Sequence, residues 1–171
     1  MTDQSPDHIT QQIKTIYGDK ADYLLRGRVR MINVWRPING PIQNWPLAFC
    51  DATTNPESSL VPTDRVRGTT TGNTRYVVRT PGAKWYYQSE SCDDEVVLFK
   101  CYDTDKSVAS FGLDCAHAAF PIPTATEDTP PRESIELRAL VFTYPDEAAE
   151  ASMASGGTTV GYTQDRVKGA H

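Results

Sequence analysis

Between Arg28 and Phe142 the chain alternates short runs of strand-forming residues with turn residues, and this alternation limits its possible folds more than any other feature. Arg28–Trp35, Leu47–Cys50, Arg75–Arg79, Lys84–Gln88, Glu95–Tyr102 and Ile135–Phe142 are rich in β-branched and aromatic residues, and each reads as a strand. Asn39-Gly40-Pro41, Thr71-Gly72-Asn73, Pro81-Gly82 and Pro121–Pro131 supply turn and loop chemistry between them. No βαβ rhythm is present, so an all-β barrel or jelly roll is the expected fold class.

Helix is expected only at the start. Ser5 can cap a helix, Pro6 suits its first position, and Asp7 sits at the positive end of the dipole. Ile9, Ile13, Ile16 and Tyr17 recur at helical spacing. Gly18 breaks the run, and Leu24 and Leu25 belong to a second short turn closed by Gly27. The β domain is expected to occupy residues 1–144. From residue 145 to 171 the chain is rich in Ala, Ser, Gly and Thr without apolar periodicity, which predicts a flexible tail.

A chain of 171 residues supports one core. Its net charge of −5 argues against a nucleic acid partner. No apolar run is long enough to span a bilayer, so no membrane partner is expected, and no secretory signal pattern opens the chain. Cys50, Cys92, Cys101 and Cys115 form no C-x-x-C pair, which argues against a zinc knuckle. Reduced thiols and a cytoplasmic location are expected.

Three histidines are available: His8, His117 and His171. His8 falls in the first helical turn and His171 is terminal. His117 alone could be a half-buried histidine at a strand end or a metal ligand. Downstream, Arg132 and Ser134 are two apart at the opening of a strand and project to one face. A guanidinium fork beside a hydroxyl suits a carboxylate, although Arg138 shares that face and competes as the anchor. Asn33, a polar residue in an apolar strand, needs a partner if buried; a cosubstrate carboxylate, a metal-bound water or neighbouring backbone would serve. Arg36 is a candidate for anion binding or for the solvent-facing end of a strand. Asp93-Asp94-Glu95 could be read as a glycosidase-like carboxylate set, but adjacent carboxylates on a strand point apart and a solvated turn is the better reading.

Met1-Thr2-Asp3-Gln4-Ser5-Pro6, Ile32-Asn33-Val34-Trp35-Arg36-Pro37-Ile38, Gly40-Pro41-Ile42-Gln43, Trp85-Tyr86-Tyr87, Phe99-Lys100-Cys101-Tyr102-Asp103 and Pro131–Phe142 together resemble one group. It is the hydroxylase/desaturase family of non-haem Fe(II)/2-oxoglutarate oxygenase-like proteins, which includes gibberellin desaturase-like enzymes and the cephamycin-pathway hydroxylase component. The resemblance covers residues 1–142. It implies a mainly β, double-stranded β-helix (jelly roll, cupin-like) with an N-terminal helix. It implies Fe(II), held by Asp3 and His117, and 2-oxoglutarate, held by Arg132 and Ser134 with Asn33 and Arg36 in support. Tyr86 or Tyr87 could also bond the cosubstrate, and strand parity allows only one of them to face it.

The function so implied is hydroxylation or desaturation of a small natural product in secondary metabolism, with molecular oxygen as co-reactant. Met1 stands where the family's H-x-D motif has its histidine, so the resemblance also implies a truncated chain and an incomplete jelly roll. Open strand edges would then favour self-association. The alternatives are an inactive truncated pseudoenzyme and a β domain that binds small carboxylates without iron.

Overall fold

The computed structural model describes residues 5–67, 70–105, 115–144 and 161–165, with backbone alone at 67, 70, 71 and 161–165. Helix α1 (Pro6–Tyr17) starts where Ser5 accepts a hydrogen bond from the His8 N–H at 3.3 Å. It stops at Gly18, whose φ of 50° is a conformation side-chain-bearing residues rarely adopt. A 3-10 turn (Gly18–Lys20) leads into α2 (Ala21–Arg26). Ile9 and Ile13 are fully buried and Tyr17 packs edge-on against Phe142 at 5.4 Å. Ile16, expected on the same face, is 52% exposed, because the buried stripe follows the i, i+4, i+8 line through Ile9, Ile13 and Tyr17.

The rest is mainly β. The strands are β1 (Arg28–Pro37), β2 (Leu47–Cys50), β3 (Leu60–Arg67), β4 (Thr70–Val77), β5 (Trp85–Tyr87), β6 (Val97–Asp103), β7 (His117–Ala119), β8 (Ser134–Thr143) and β9 (Gly161–Asp165). They form an antiparallel sheet in the order β6-β1-β8-β9, a second in the order β5-β2-β7, and the hairpin β3-β4. Two expectations change here. The hairpin begins at Leu60, in a stretch not read as strand, and Thr71-Gly72-Asn73 lies inside β4 instead of forming a turn. Pro62 and many polar residues mask β3, which pairs with β4 in a two-stranded sheet. Within the expected tail, Gly161–Asp165 pairs with the edge of β8, from Leu140↔Gly161 to Glu136↔Asp165. An unpaired strand edge offers backbone donors and acceptors to any β-compatible segment. The other residues of 145–171 lie outside the described set.

The core lies between α1 and the inner face of β1. Val29, Met31, Trp35, Phe99, Cys101 and Leu140 pack with Ile9 and Ile13. The two larger sheets meet through Phe99, whose ring is 4.9 Å from Phe49 of β2 and 4.8 Å from His117 of β7. Gly40 marks a close approach, since a Cβ there would lie 2.7 Å from the Cys92 Cα. Among the described residues no helix is long and apolar enough to cross a membrane.

One buried ion cluster ties β1 to β6. Arg28 donates to both oxygens of Asp103, at 2.9 and 2.7 Å, and Lys100 Nζ lies 2.6 Å from the same carboxylate. The Asp103 side chain is only 1% exposed. The Arg28 guanidinium, helped by Lys100 and the Asp105 N–H, overcomes the effect of burial and holds the Asp103 carboxyl far below the usual carboxylate range. A depressed folded-state pKa stabilises above the unfolded pKa, about 4, and the stabilisation is lost as pH falls toward the folded value. Replacing Asp103 with Asn should cost about 2–3 kcal/mol at pH 7. In urea denaturation the deficit relative to wild type should shrink below pH 4.

Candidate active site

Strand β1 sorts its side chains cleanly. Val29, Met31, Asn33, Trp35 and Pro37 are buried on the inner face. Their partners on β8 are Phe142, Leu140, Arg138, Glu136 and Ser134. Paired residues of antiparallel strands share a face, so Ser134, Glu136 and Arg138 all project inward with Asn33. Arg132, just before β8, lies over Trp35 with its guanidinium carbon 5.7 Å from the ring centroid. Arg36 occupies the opposite parity and is exposed, so the structure does not bring it to this face.

Arg132 is positioned from both sides. The Asn39 amide donates to Pro131 O at 2.9 Å and accepts from the Glu133 N–H at 2.9 Å. Ile38 N–H adds a bond to Glu133 O at 3.0 Å. Arg132 Nη1 donates to the Trp45 carbonyl at 2.8 Å. Trp45 itself has a positive φ of 55°, and Asn44 Oδ1 accepts from both its N–H and that of Ile122. Burial lowers the Arg132 pKa, and Glu136 opposes that shift. The guanidinium nevertheless stays charged at neutral pH.

The two inward arginines differ in what neutralises them. Arg138 Nη2 is 2.8 Å from Glu136 Oε1, and Asn33 Nδ2 donates to the same oxygen at 3.3 Å. Arg132 makes no ion pair among the described residues; its contacts are a carbonyl and an aromatic ring. A half-buried guanidinium so held has the chemistry to accept an anion, with the buried Ser134 hydroxyl on the same face.

His117 stands at the start of β7, 7% exposed, beside Phe49 in the ladder. Its Nδ1 lies 2.9 Å from Cys115 O. A carbonyl can only accept, so Nδ1 carries a proton and donates in this bond, an arrangement common in metal-binding histidines. The ring packs on Phe99, which is the ladder partner of Asn33. His117, Phe99, Asn33 and Glu136 thus form a continuous line of contacts. Met1, Asp3 and His171 lie outside the described residues.

The parity question at 85–87 is answered by register. Tyr86 pairs with Phe49 and shares the face of His117, whereas Tyr87 pairs with Ala48 and packs edge-on against Phe120 at 5.0 Å. Cys92, Asp94 and Glu95 form a separate group of metal-ligand types. There the Glu95 carboxylate accepts from Cys92 N–H at 2.8 Å and from the Gln88 amide, so it caps a turn. Glu136, Phe99, Asn39 and the Trp45 carbonyl were not anticipated. Glu136 could have been found from parity, because it stands two residues after Ser134 and two before Arg138. The Asn39 clamp joins residues far apart in sequence and left no local signal.

The family model described as "Oxidoreductase/YMDC permease-like domain" matches residues 2–142. Aspirochlorine biosynthesis protein N of Aspergillus oryzae is 38% identical over 141 residues, covering 81% of this chain and 58% of that protein. The Fe(II)/2-oxoglutarate-dependent dioxygenase nvfI of Aspergillus novofumigatus is 35% identical over 142 residues, covering 82% and 50%. The hydroxylase/desaturase efuI of Hormonema carpetanum is 34% identical over 151 residues, covering 82% and 50%. A solved structure of the iron and alpha-ketoglutarate-dependent endoperoxidase NvfI superposes with a TM-score of 0.76 at 34% identity, over 84% of this chain and 53% of that one. The chain therefore spans about half the length of these relatives.

The Asn39 clamp gives a direct test of how Arg132 is positioned. Asn39→Ala removes two partly exposed hydrogen bonds and should cost about 1 kcal/mol in urea denaturation. Amide hydrogen exchange at Glu133 should accelerate, while exchange at Asn33, in the central strand, should change only in step with global stability.

Proposed function

This chain belongs to the hydroxylase/desaturase family of non-haem Fe(II)/2-oxoglutarate oxygenase-like proteins, and from that membership we propose that it serves the hydroxylation or desaturation of a small natural product. The observation that carries the reading is the pair formed by His117, which hydrogen-bonds the Cys115 carbonyl through Nδ1, and Arg132, a half-buried cation without a contacting carboxylate. These residues fit the two groups the family uses. An imidazole is a ligand suited to Fe(II), and a half-buried guanidinium beside a hydroxyl suits the distal carboxylate of 2-oxoglutarate.

In this reading His117 and Asp3 hold the metal. Arg132 and Ser134 orient the cosubstrate, and Asn33 keeps Glu136 and Arg138 in place beside it. Bound iron with 2-oxoglutarate and molecular oxygen supplies the oxidising power to break an unactivated C–H bond. The protein's own work is positional. The Cys115 carbonyl holds Nδ1 of His117, Asn39 and Trp45 fix Arg132, and the rings of Trp35, Phe49 and Phe99 exclude water from the space between. A cytoplasmic location, which keeps iron and thiols reduced, accords with this use.

The test is succinate release from 2-oxoglutarate with Fe(II). Arg132→Ala should raise the apparent KM for 2-oxoglutarate roughly 100-fold, the effect of about 2–3 kcal/mol lost at a partly buried charge pair. His117→Ala should abolish Fe(II) binding measured by calorimetry. If 2-oxoglutarate binds equally well with a chelator present and wild type forms no succinate, the chain is instead a non-catalytic carboxylate-binding β domain.

A further inference from the structure

A cavity of about 470 Å³ lies where the end of β4 meets the start of β5, and Asn55, Val77, Arg79, Pro81, Ala83 and Trp85 line it. Hydrogen bonds stitch its frame. Asp51 N–H donates to Lys84 O at 2.9 Å, Lys84 N–H to Thr54 Oγ1 at 2.9 Å, and Val78 N–H to Ser59 O at 2.8 Å. The turn from Thr80 to Ala83 is closed by Ala83 N–H on Thr80 O at 3.2 Å, with Gly82 at a φ of 86°. Proline followed by a positive-φ glycine is what a type II turn requires. Asn55 follows the 3-10 turn Ala52–Thr54 and is 4% exposed, yet its Oδ1 has no hydrogen-bond partner. A buried acceptor left empty is destabilising and calls for an explanation. The oxygen is shut off from bulk water, and the terminal amide torsion is soft enough to turn it toward the cavity. Two further lining groups are open to a ligand. Trp85 is 39% exposed and stacks on no other ring among the described residues, and the exposed Arg79 makes no ion pair among them.

We propose that this cavity is a second binding site, for an aromatic carboxylic acid that carries a ring N–H or O–H donor. Each part of the ligand answers one lining group. The donor fills the empty Asn55 Oδ1, the ring lies against the Trp85 indole, and the carboxylate meets Arg79 at the rim. An apolar wall with a few convergent polar groups is the usual make-up of a small-molecule site. An amine would also satisfy Oδ1, but it would meet Arg79 as a like charge. None of the residues lining the cavity belongs to the proposed oxygenase site, so the inference stands independently of that reading.

The probe is indole-3-acetate, titrated into the full chain by calorimetry without iron or 2-oxoglutarate. Saturable binding is expected. 1-Methylindole-3-acetate, which lacks the ring N–H, should bind about tenfold more weakly. 3-Methylindole, which lacks the carboxylate, should bind about threefold more weakly at low salt, and added salt should not weaken it as it does the acid. Asn55→Leu removes the acceptor, so the two indole acids should then bind equally, while the melting temperature by circular dichroism stays level or rises because the orphaned oxygen is gone. Asn55→Ala should erase the same discrimination and serves as the second variant where Asn55→Leu does not fold. Trp85→Ala should weaken both acids alike. No saturable binding by wild type, equal affinity of wild type for the two acids, discrimination that persists without Asn55, or binding indifferent to Trp85→Ala overturns the proposal.

Discussion

The unbroken register between β1 and β8, from Arg28↔Thr143 to Pro37↔Ser134, is the constraint on which the site depends. A slip of one residue would turn Asn33 and Trp35 outward and carry Ser134, Glu136 and Arg138 to the wrong face. The register is secured by alternation. Five inner positions of β1 are buried, and the apolar ones among them pack against α1, β6 and β8. Both neighbours of β1 are antiparallel, so its backbone is bonded along both edges. The central strand thereby acts as the template for the inward row of Ser134, Glu136 and Arg138.

The electrostatics divide labour between two arginines that the sequence presents as equivalent. Glu136 takes Arg138 and the Asn33 amide, which closes one buried network. Arg132 lies beyond that network, on a ring and a carbonyl, where its charge is stabilised by dipoles and not cancelled. A site that had paired both arginines would offer nothing to an incoming carboxylate. One that had paired neither would bear two desolvated cations on one face.

Local pattern made much of this legible. The Ser5-Pro6-Asp7 start and the Gly18 stop define α1, and strand parity puts Ser134 and Arg138 on one face, with Arg132 just before the strand. The same parity left Arg36 outside, where an anion-binding role had been considered. What stayed hidden depends on contacts between distant segments. Pro62 and polar side chains hid β3, because its partner alone makes it a strand. The pairing of Gly161–Asp165 with β8 cannot be read from composition, since it answers an open edge contributed by another part of the chain. The choice between Tyr86 and Tyr87 needed the register of β5 on β2, which no local run specifies.

The seat of Arg132 on Trp35 has a consequence for how its partner is chosen. A solvent-exposed cation attracts any anion and loses its grip as ionic strength rises, since the Debye length is about 8 Å at physiological salt. A guanidinium backed by an indole and held by the Trp45 carbonyl is sheltered from mobile counterions on those sides. Small hydrated ions such as chloride gain little there, because they cannot answer a planar fork with two parallel acceptors. An anion meeting Arg132 would therefore be selected by shape as well as by charge, and a carboxylate would compete well there against monatomic anions.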